Sequence, residues 1–200
     1  MSNGTPPRWP GFPAGVHDEF EDLRQDLVNL HIKWNTYNTL FGTPQNFDLL
    51  NRVVPDFLAT INEALLSDLA VSFCRILDPA SLGTRDNLTL ARLIVSLQPH
   101  VEPPFHADLQ QRLQAIDRLC EPLRRWRNRK IGHKDLRTAL QYQDNPLPNF
   151  DRADGDELLN QLDSLMQRVE VHFTGDRTVY HDPIQNGGPE RLIQLVRGGR

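Results

Sequence analysis

Apolar residues recur every three or four positions along almost the whole chain, and this period decides what the chain can fold into. Phe20, Leu23, Leu27, Leu30 and Trp34 form one such stripe, so residues 17–41 read as an amphipathic helix. Asp18, Glu19, Glu21 and Asp22 crowd its first turn, where the positive end of the helix dipole favours acid. Gly42-Thr43-Pro44 stops it. A second stripe runs through Val54, Phe57, Ile61, Leu65, Leu69, Phe73 and Ile76. Pro55 either starts that helix or kinks it, and Asp78-Pro79 with Gly83 closes it. Leu90, Leu93, Ile94 and Leu97 mark a shorter helix over residues 87–98, with Asn87 or Asp86 as its N-cap. Pro99, Pro103 and Pro104 form a connector. Leu158, Leu162, Leu165, Val169 and Phe173 mark a last long helix over residues 154–173, after a polar loop holding Asp144, Asn145, Pro146 and Pro148. No segment alternates with period two. An all-α bundle of about five helices follows, two long helices first, with a functional helix near residues 105–140 as the fourth.

The 200 residues suffice for one domain with a real core and leave little room for two. The expected organisation is a disordered lead-in over residues 1–14, a helical domain over 15–175, and an extension over 176–200. In that extension Leu192, Ile193, Leu195 and Val196 offer a short helix after Gly187-Gly188-Pro189. The proline-rich start reads as neither a signal nor a transit peptide. No run approaches the roughly 18 consecutive apolar residues of a membrane span. A cytoplasmic protein without a membrane partner is the expectation. Cys74 and Cys120 each lie in an apolar helical pattern and read as small buried hydrophobes in a reducing compartment. Two cysteines make neither a disulfide framework nor a zinc cluster, and no metal or other cofactor is expected.

The net charge of −4 argues against a nucleic-acid partner for the chain as a whole, but the charge is unevenly spread. Arg124, Arg125, Arg127, Arg129, Lys130, Lys134 and Arg137 place seven cations against one acid, Asp135, within fourteen residues. Such a run can neutralise phosphates, and the plain alternative is a solvated basic helix face. Three features favour the former. Phe105, Leu109, Leu113, Ile116, Cys120 and Leu123 set a stripe whose next step lands on Arg127, so a guanidinium stands where a core residue belongs and needs a carboxylate, a second subunit or a phosphate to answer it. His133 titrates near neutrality and can move a proton. Gly132, just before it, costs about 1 kcal/mol in a helix against alanine, which hints at a close approach.

Arginine beside histidine suits RNA cleavage. The 2′-hydroxyl attacks the adjacent phosphate, histidine transfers the proton, and arginine stabilises the charge growing on the phosphoryl oxygens. Positions 127 and 133 differ by about 120° around a straight helix, so a bend after Pro122 or a symmetric helix pair must bring them to one groove.

Arg127, Asn128 and His133 resemble the Arg-polar-four-residues-His signature of the HEPN superfamily, many of whose members are ribonucleases of toxin–antitoxin, abortive-infection and CRISPR systems. The run "RNRKIGHKD" is similar to the "RNK-x-AH-x-D" run of the branch named for a lactococcal phage abortive-infection protein. In that branch a helix ending "SRLTDP" and then an "NLTL" helix precede the motif. Here "FCRILDPA" at 73–80 and "NLTLARLI" at 87–94 stand in the same order. The resemblance covers residues 17–173. Gly132 departs from the usual alanine, and Pro122 lies unusually close to the motif.

The resemblance implies a HEPN-like bundle, a homodimer and a composite cleft in which Arg127 and His133 act with Asn128 as the orienting polar residue. It implies that Arg124, Arg129, Lys130 and Lys134 hold the RNA backbone and that Asp135 supports the site. RNA is the implied partner, and an antitoxin that restrains the enzyme is a further one. A non-catalytic HEPN module binding RNA, nucleotide or a protein partner is the alternative reading, and a helical dimerisation protein with a solvated basic run is a third. Arg75 and Asp78 read as an ion pair or cap, with lining of the cleft as the alternative. Trp34 and Trp126 read as packing rather than base-stacking residues, and His31-x-x-Trp34 as a half-buried surface feature.

Overall fold

A computed structural model describes residues 11–131, 149–181 and 187–198. Among them are seven α-helices and one two-stranded antiparallel ribbon. The chain runs α1 (Val16–Phe41), α2 (Pro44–Asn51), α3 (Pro55–Ile76), the ribbon β1 (Ser81–Leu82) and β2 (Arg85–Asp86), α4 (Leu90–Leu97), α5 (Pro103–Trp126), a π-helical turn (Arg127–Ile131), α6 (Arg152–Thr174) and α7 (Pro189–Gly198). The fold is all-α, as the period requires. The five helices read from the sequence are present among the described residues, α7 is the short helix offered for the extension, and α2 is an addition. With α2 in place the motif helix is fifth in chain order.

The ends of the helices have local causes. Gly15 enters α1 with φ of 89°, a left-handed conformation that costs glycine little. The Gly42-Thr43-Pro44 stop is also a start. The Thr43 side chain accepts from the Asn46 N–H and Pro44 takes the first turn of α2, where its missing N–H leaves no bond unmade. Pro55 begins α3 rather than kinking it. The cap of α4 is Thr89, whose hydroxyl accepts from Arg92 N–H at 3.2 Å, and not Asn87 or Asp86. Those two close the ribbon instead: Asp86 pairs with Ser81, and Asn87 donates to Pro79 O and Ala80 O at 3.0 and 2.8 Å. α6 starts with a reciprocal capping box between Asp151 and Asp154.

The main core joins α1, α3, α4, α5 and α6. Phe20, Leu23 and Leu27 of α1, Phe73 and Cys74 of α3, Leu93 and Leu97 of α4, Ile116 and Cys120 of α5, and Leu162 and Leu165 of α6 are buried together. A smaller cluster of Leu40, Leu49, Leu50, Leu58 and Ile193 seats α7 against α2 and the neighbouring ends of α1 and α3. The packed unit is wider than 15–175. Phe12, expected in the disordered lead-in, is buried with its ring 4.5 Å from that of Phe20 and 4.9 Å from that of Phe173. Tyr180 is fully buried. Buried Glu170 fastens that stretch by accepting from Thr178 N–H and hydroxyl at 2.8 and 2.5 Å. Single anchors in flanks rich in proline and glycine have no period to reveal them.

His31 and Trp34 are not a surface feature. Both are buried: His31 Nε2 lies 2.7 Å from Asp163 Oδ1, and Trp34 Nε1 donates to Asp156 at 2.7 Å. They border a polar cleft of about 540 Å³ with Asn35, Asn38, Arg152 and His181. α3 is long and apolar enough, by length and composition alone, to cross a membrane: one 18-residue window has mean hydropathy 1.4 and is 28 % buried. Its second half supplies the core, while Phe57 and Val71 face outward.

Candidate active site on the motif helix

Two proline effects shape this end of α5. Pro103 and Pro104 start the helix without loss, whereas Pro122 lies inside it and deprives the Arg118 carbonyl of its donor. Five residues later the backbone widens into the π-helical turn Arg127–Ile131. Such turns are rare and gather at functional sites, because the wider pitch re-aims side chains that a regular helix would stack.

Arg127 is answered by a carboxylate. Its Nη1 donates to both oxygens of Asp78 at 2.9 and 3.0 Å, and Nε donates to Asn128 Oδ1 at 3.3 Å. Nη2 has no acceptor among the described residues. The pair is half-buried, with side-chain exposures of 26 and 31 %. Asp78 lies just beyond the C-terminal end of α3, where the helix dipole disfavours acid, so Arg127 offsets a local cost at the same time as it loses its own. Asp78 thus forms an ion pair, and it also lines a cleft beside that pair. Arg75 pairs elsewhere, with Asp26 at 2.8 Å.

Arg124 lies one turn earlier on the same face. Its Nη2 donates to the carbonyl of Leu77 at 2.9 Å, one of the carbonyls a helix end leaves unmatched, and to Asp117. The hydrogen bond it donates to Asp117 raises its pKa, against the opposing effect of burial. A cleft of about 300 Å³ opens beside these groups, lined by Leu77, Asp78, Pro79, Ala91, Asp117 and Arg124 among others. Arg124 is thus bound into the α3–α5 seam rather than presented outward like a phosphate-gripping side chain.

The outer face of the helix differs. The ammonium of Lys130 lies 4.8 Å from the ring centroid of Trp126, and Lys130 and Asn128 are exposed. Ala115, Leu119, Pro122 and Trp126 follow one another at helical spacing on α5, and Leu119 is 39 % exposed. Trp126 is half-buried among these and Trp34 is core, so neither offers a bare ring.

The structure therefore brings Arg127 and Arg124 to one seam, leaves Asn128 exposed with its Oδ1 accepting from Arg127, and places Arg129 and Lys130 on the same π-helical turn. Gly132, His133, Lys134, Asp135 and Arg137 lie outside the described residues. Two partners were missed in the sequence, Asp117 and the Leu77 carbonyl. Asp117 stands seven residues before Arg124, two turns along the same helix, which is a legible signal. The Leu77 carbonyl has no sequence signature. The cleft lined by His31, Asp156 and His181 has no sequence signature either.

The family model HEPN_AbiU2, described as AbiU2, matches residues 14–188 of the chain. No curated protein and no solved structure matches the chain.

Proposed function

This chain belongs to the HEPN family described as AbiU2, a family associated with abortive infection, and from that premise we propose that it is an endoribonuclease of HEPN type that acts in phage defence or as a toxin. Family membership supports a nuclease or defence-related role at the coarser level. The observation that carries the finer reading is Arg127. It stands on the core stripe of α5, is fixed through one nitrogen by Asp78, keeps its other terminal nitrogen without an acceptor among the described residues, and sits on a π-helical turn six residues before His133.

In this reading the RNA 2′-hydroxyl attacks the adjacent phosphate and His133 transfers the proton. Arg127 stabilises the charge developing on the phosphoryl oxygens, and Asn128 holds the guanidinium in place. The reaction draws on no metal or cofactor. Arg129, Lys130 and Lys134 hold the backbone, and Asp135 supports the site. Arg124 was expected to join them, and its bonds to Leu77 and Asp117 favour a structural role instead. We propose a homodimer in which the Ala115, Leu119, Pro122 and Trp126 stripes of two motif helices meet, so that each cleft holds groups from both chains. An antitoxin partner and a cytoplasmic, membrane-free setting complete the proposal.

The test is cleavage of labelled RNA by purified protein. His133→Ala and Arg127→Ala are expected to abolish cleavage while circular dichroism stays native. A wild type that cuts no RNA and is harmless on overexpression would end the enzymatic reading. Salt-sensitive RNA binding that survives His133→Ala would favour a non-catalytic binding module.

A further inference from the structure

We propose that Cys74 and Cys120 form a dithiol–disulfide couple, an oxidation site that ties α3 to α5 beneath the arginine seam. The two Sγ atoms lie 4.0 Å apart, on different helices and 46 residues apart in sequence, and both side chains are fully buried. They are adjacent links of one seam. Cys74 stands in the last turn of α3, four residues before Asp78. Cys120 stands one turn before Arg124 and two before Arg127 on α5. Three contacts thus follow one another along the α3–α5 interface: Cys74 with Cys120, the Leu77 carbonyl with Arg124, and Asp78 with Arg127. A disulfide needs its sulfurs about 2 Å apart, so bond formation asks the two side chains to close from 4.0 Å.

The surroundings assign the two sulfurs different roles. The hydrogen bond from Cys120 favours the Cys74 thiolate, and the charges of Arg127 and Arg124 add to it, against burial and Asp78. The Cys120 thiol is pushed up by that same bond and by burial. The Arg127 charge, which acts on Cys74 and not on Cys120, makes Cys74 the attacking sulfur of the proposed couple. The oxidant class is a hydroperoxide, small and neutral enough to enter a packed interface when it opens briefly. The Cys74 thiolate attacks a peroxide oxygen and breaks the O–O bond. A sulfenic acid forms on Cys74, and hydroxide leaves to be protonated to water. Cys120 then attacks the sulfenic sulfur, gives up its proton, and displaces a second water as the S–S bond forms. Two electrons and two protons pass from the thiols to the peroxide. The inference rests on the seam geometry and needs no ribonuclease activity.

The experiment uses reduced full-length protein and hydrogen peroxide. After quenching, the protein is unfolded, free thiols are alkylated, and intact and peptide masses are read. The expected result is loss of both thiols within one chain and a mass lower by two hydrogens. The Cys74 peptide is joined to the Cys120 peptide, and dithiothreitol restores both thiols. The oxidised form is expected to melt roughly 5–10 °C above the reduced form, as closure of such a loop implies. Cys120→Ala should show neither the link nor the shift, and the peptide linkage in the wild type decides the matter even if that variant folds poorly. Two free thiols after treatment, oxygen added to single cysteines, or a covalent dimer would each overturn the proposal.

Discussion

Arg127 and Asp78, forty-nine residues apart, meet through one guanidinium nitrogen and both carboxylate oxygens at 2.9 and 3.0 Å. The pair is half-exposed, so its own worth is at most about 1 kcal/mol. Asp78→Asn is therefore expected to lower unfolding stability by less than about 1 kcal/mol in a denaturant melt. Under the proposed function the same variant lets the guanidinium swing and should cost about tenfold in RNA cleavage, equivalent to about 1.4 kcal/mol in the barrier. Full activity in Asp78→Asn would reduce the pair to a helix-end tie.

Lys130 is exposed at the end of the π-helical turn, with its ammonium over the Trp126 ring. Reversing its charge tests whether this face meets a polyanion. Lys130→Glu is expected to weaken RNA binding across sequences and to reduce the slope of log affinity against log salt by about one unit. A variant that binds RNA with wild-type affinity and slope would leave Lys130 as a solvated cation held on an aromatic face.

The pattern on α5 made the need for an Arg127 partner legible, because a charge on an apolar stripe must be matched. It did not show which carboxylate, since that depends on how α3 lies against α5. Asp78 was visible as an acid at the wrong end of a helix, and the two observations together lead to the pair. The cysteines were legible as buried and illegible as neighbours for the same reason. The burial of His31 is not legible from its own helix. Its partner Asp163 directly follows Leu162 on the stripe of α6, and a carboxylate beside such a stripe announces a buried polar contact. Phe12 and Tyr180 stood outside any period, so their burial had no pattern to betray it.

Gly155 lies in the first turns of α6 under the Trp34 ring. A Cβ added there would stand 2.2 Å from Cη2 and 2.3 Å from Cζ2 of the indole. On helix propensity alone Gly155→Ala gains about 1 kcal/mol. The overlap opposes it, because Trp34 is buried against Phe73 and fixed by its bond to Asp156. Overpacking of this kind costs about 1–3 kcal/mol. The balance predicts a variant less stable by about 1 kcal/mol, with a changed tryptophan emission spectrum. A variant more stable than the wild type would mean that the indole can shift at little cost.

Tyr180 is fully buried, and among the described residues its hydroxyl has no hydrogen-bond partner. Burial, with Glu170 nearby, pushes its pKa above the ordinary tyrosine value, against the pull of Arg24. The unfolded chain releases this proton near pH 10 while the folded chain keeps it, so stability is unaffected below that pH and falls as pH rises above it. Tyr37, raised by burial as well, adds its own fall over the same range. Tyr180→Phe removes the first contribution and leaves the second. It also removes an unmatched buried hydroxyl, a group whose desolvation costs about 1–3 kcal/mol, so at neutral pH the variant is expected to be as stable as the wild type or more so. Denaturant melts from pH 7 to pH 11 check both parts. A loss of more than about 1 kcal/mol at pH 7 would mean that the hydroxyl makes a bond after all, and an unchanged alkaline fall would place that limb on other groups.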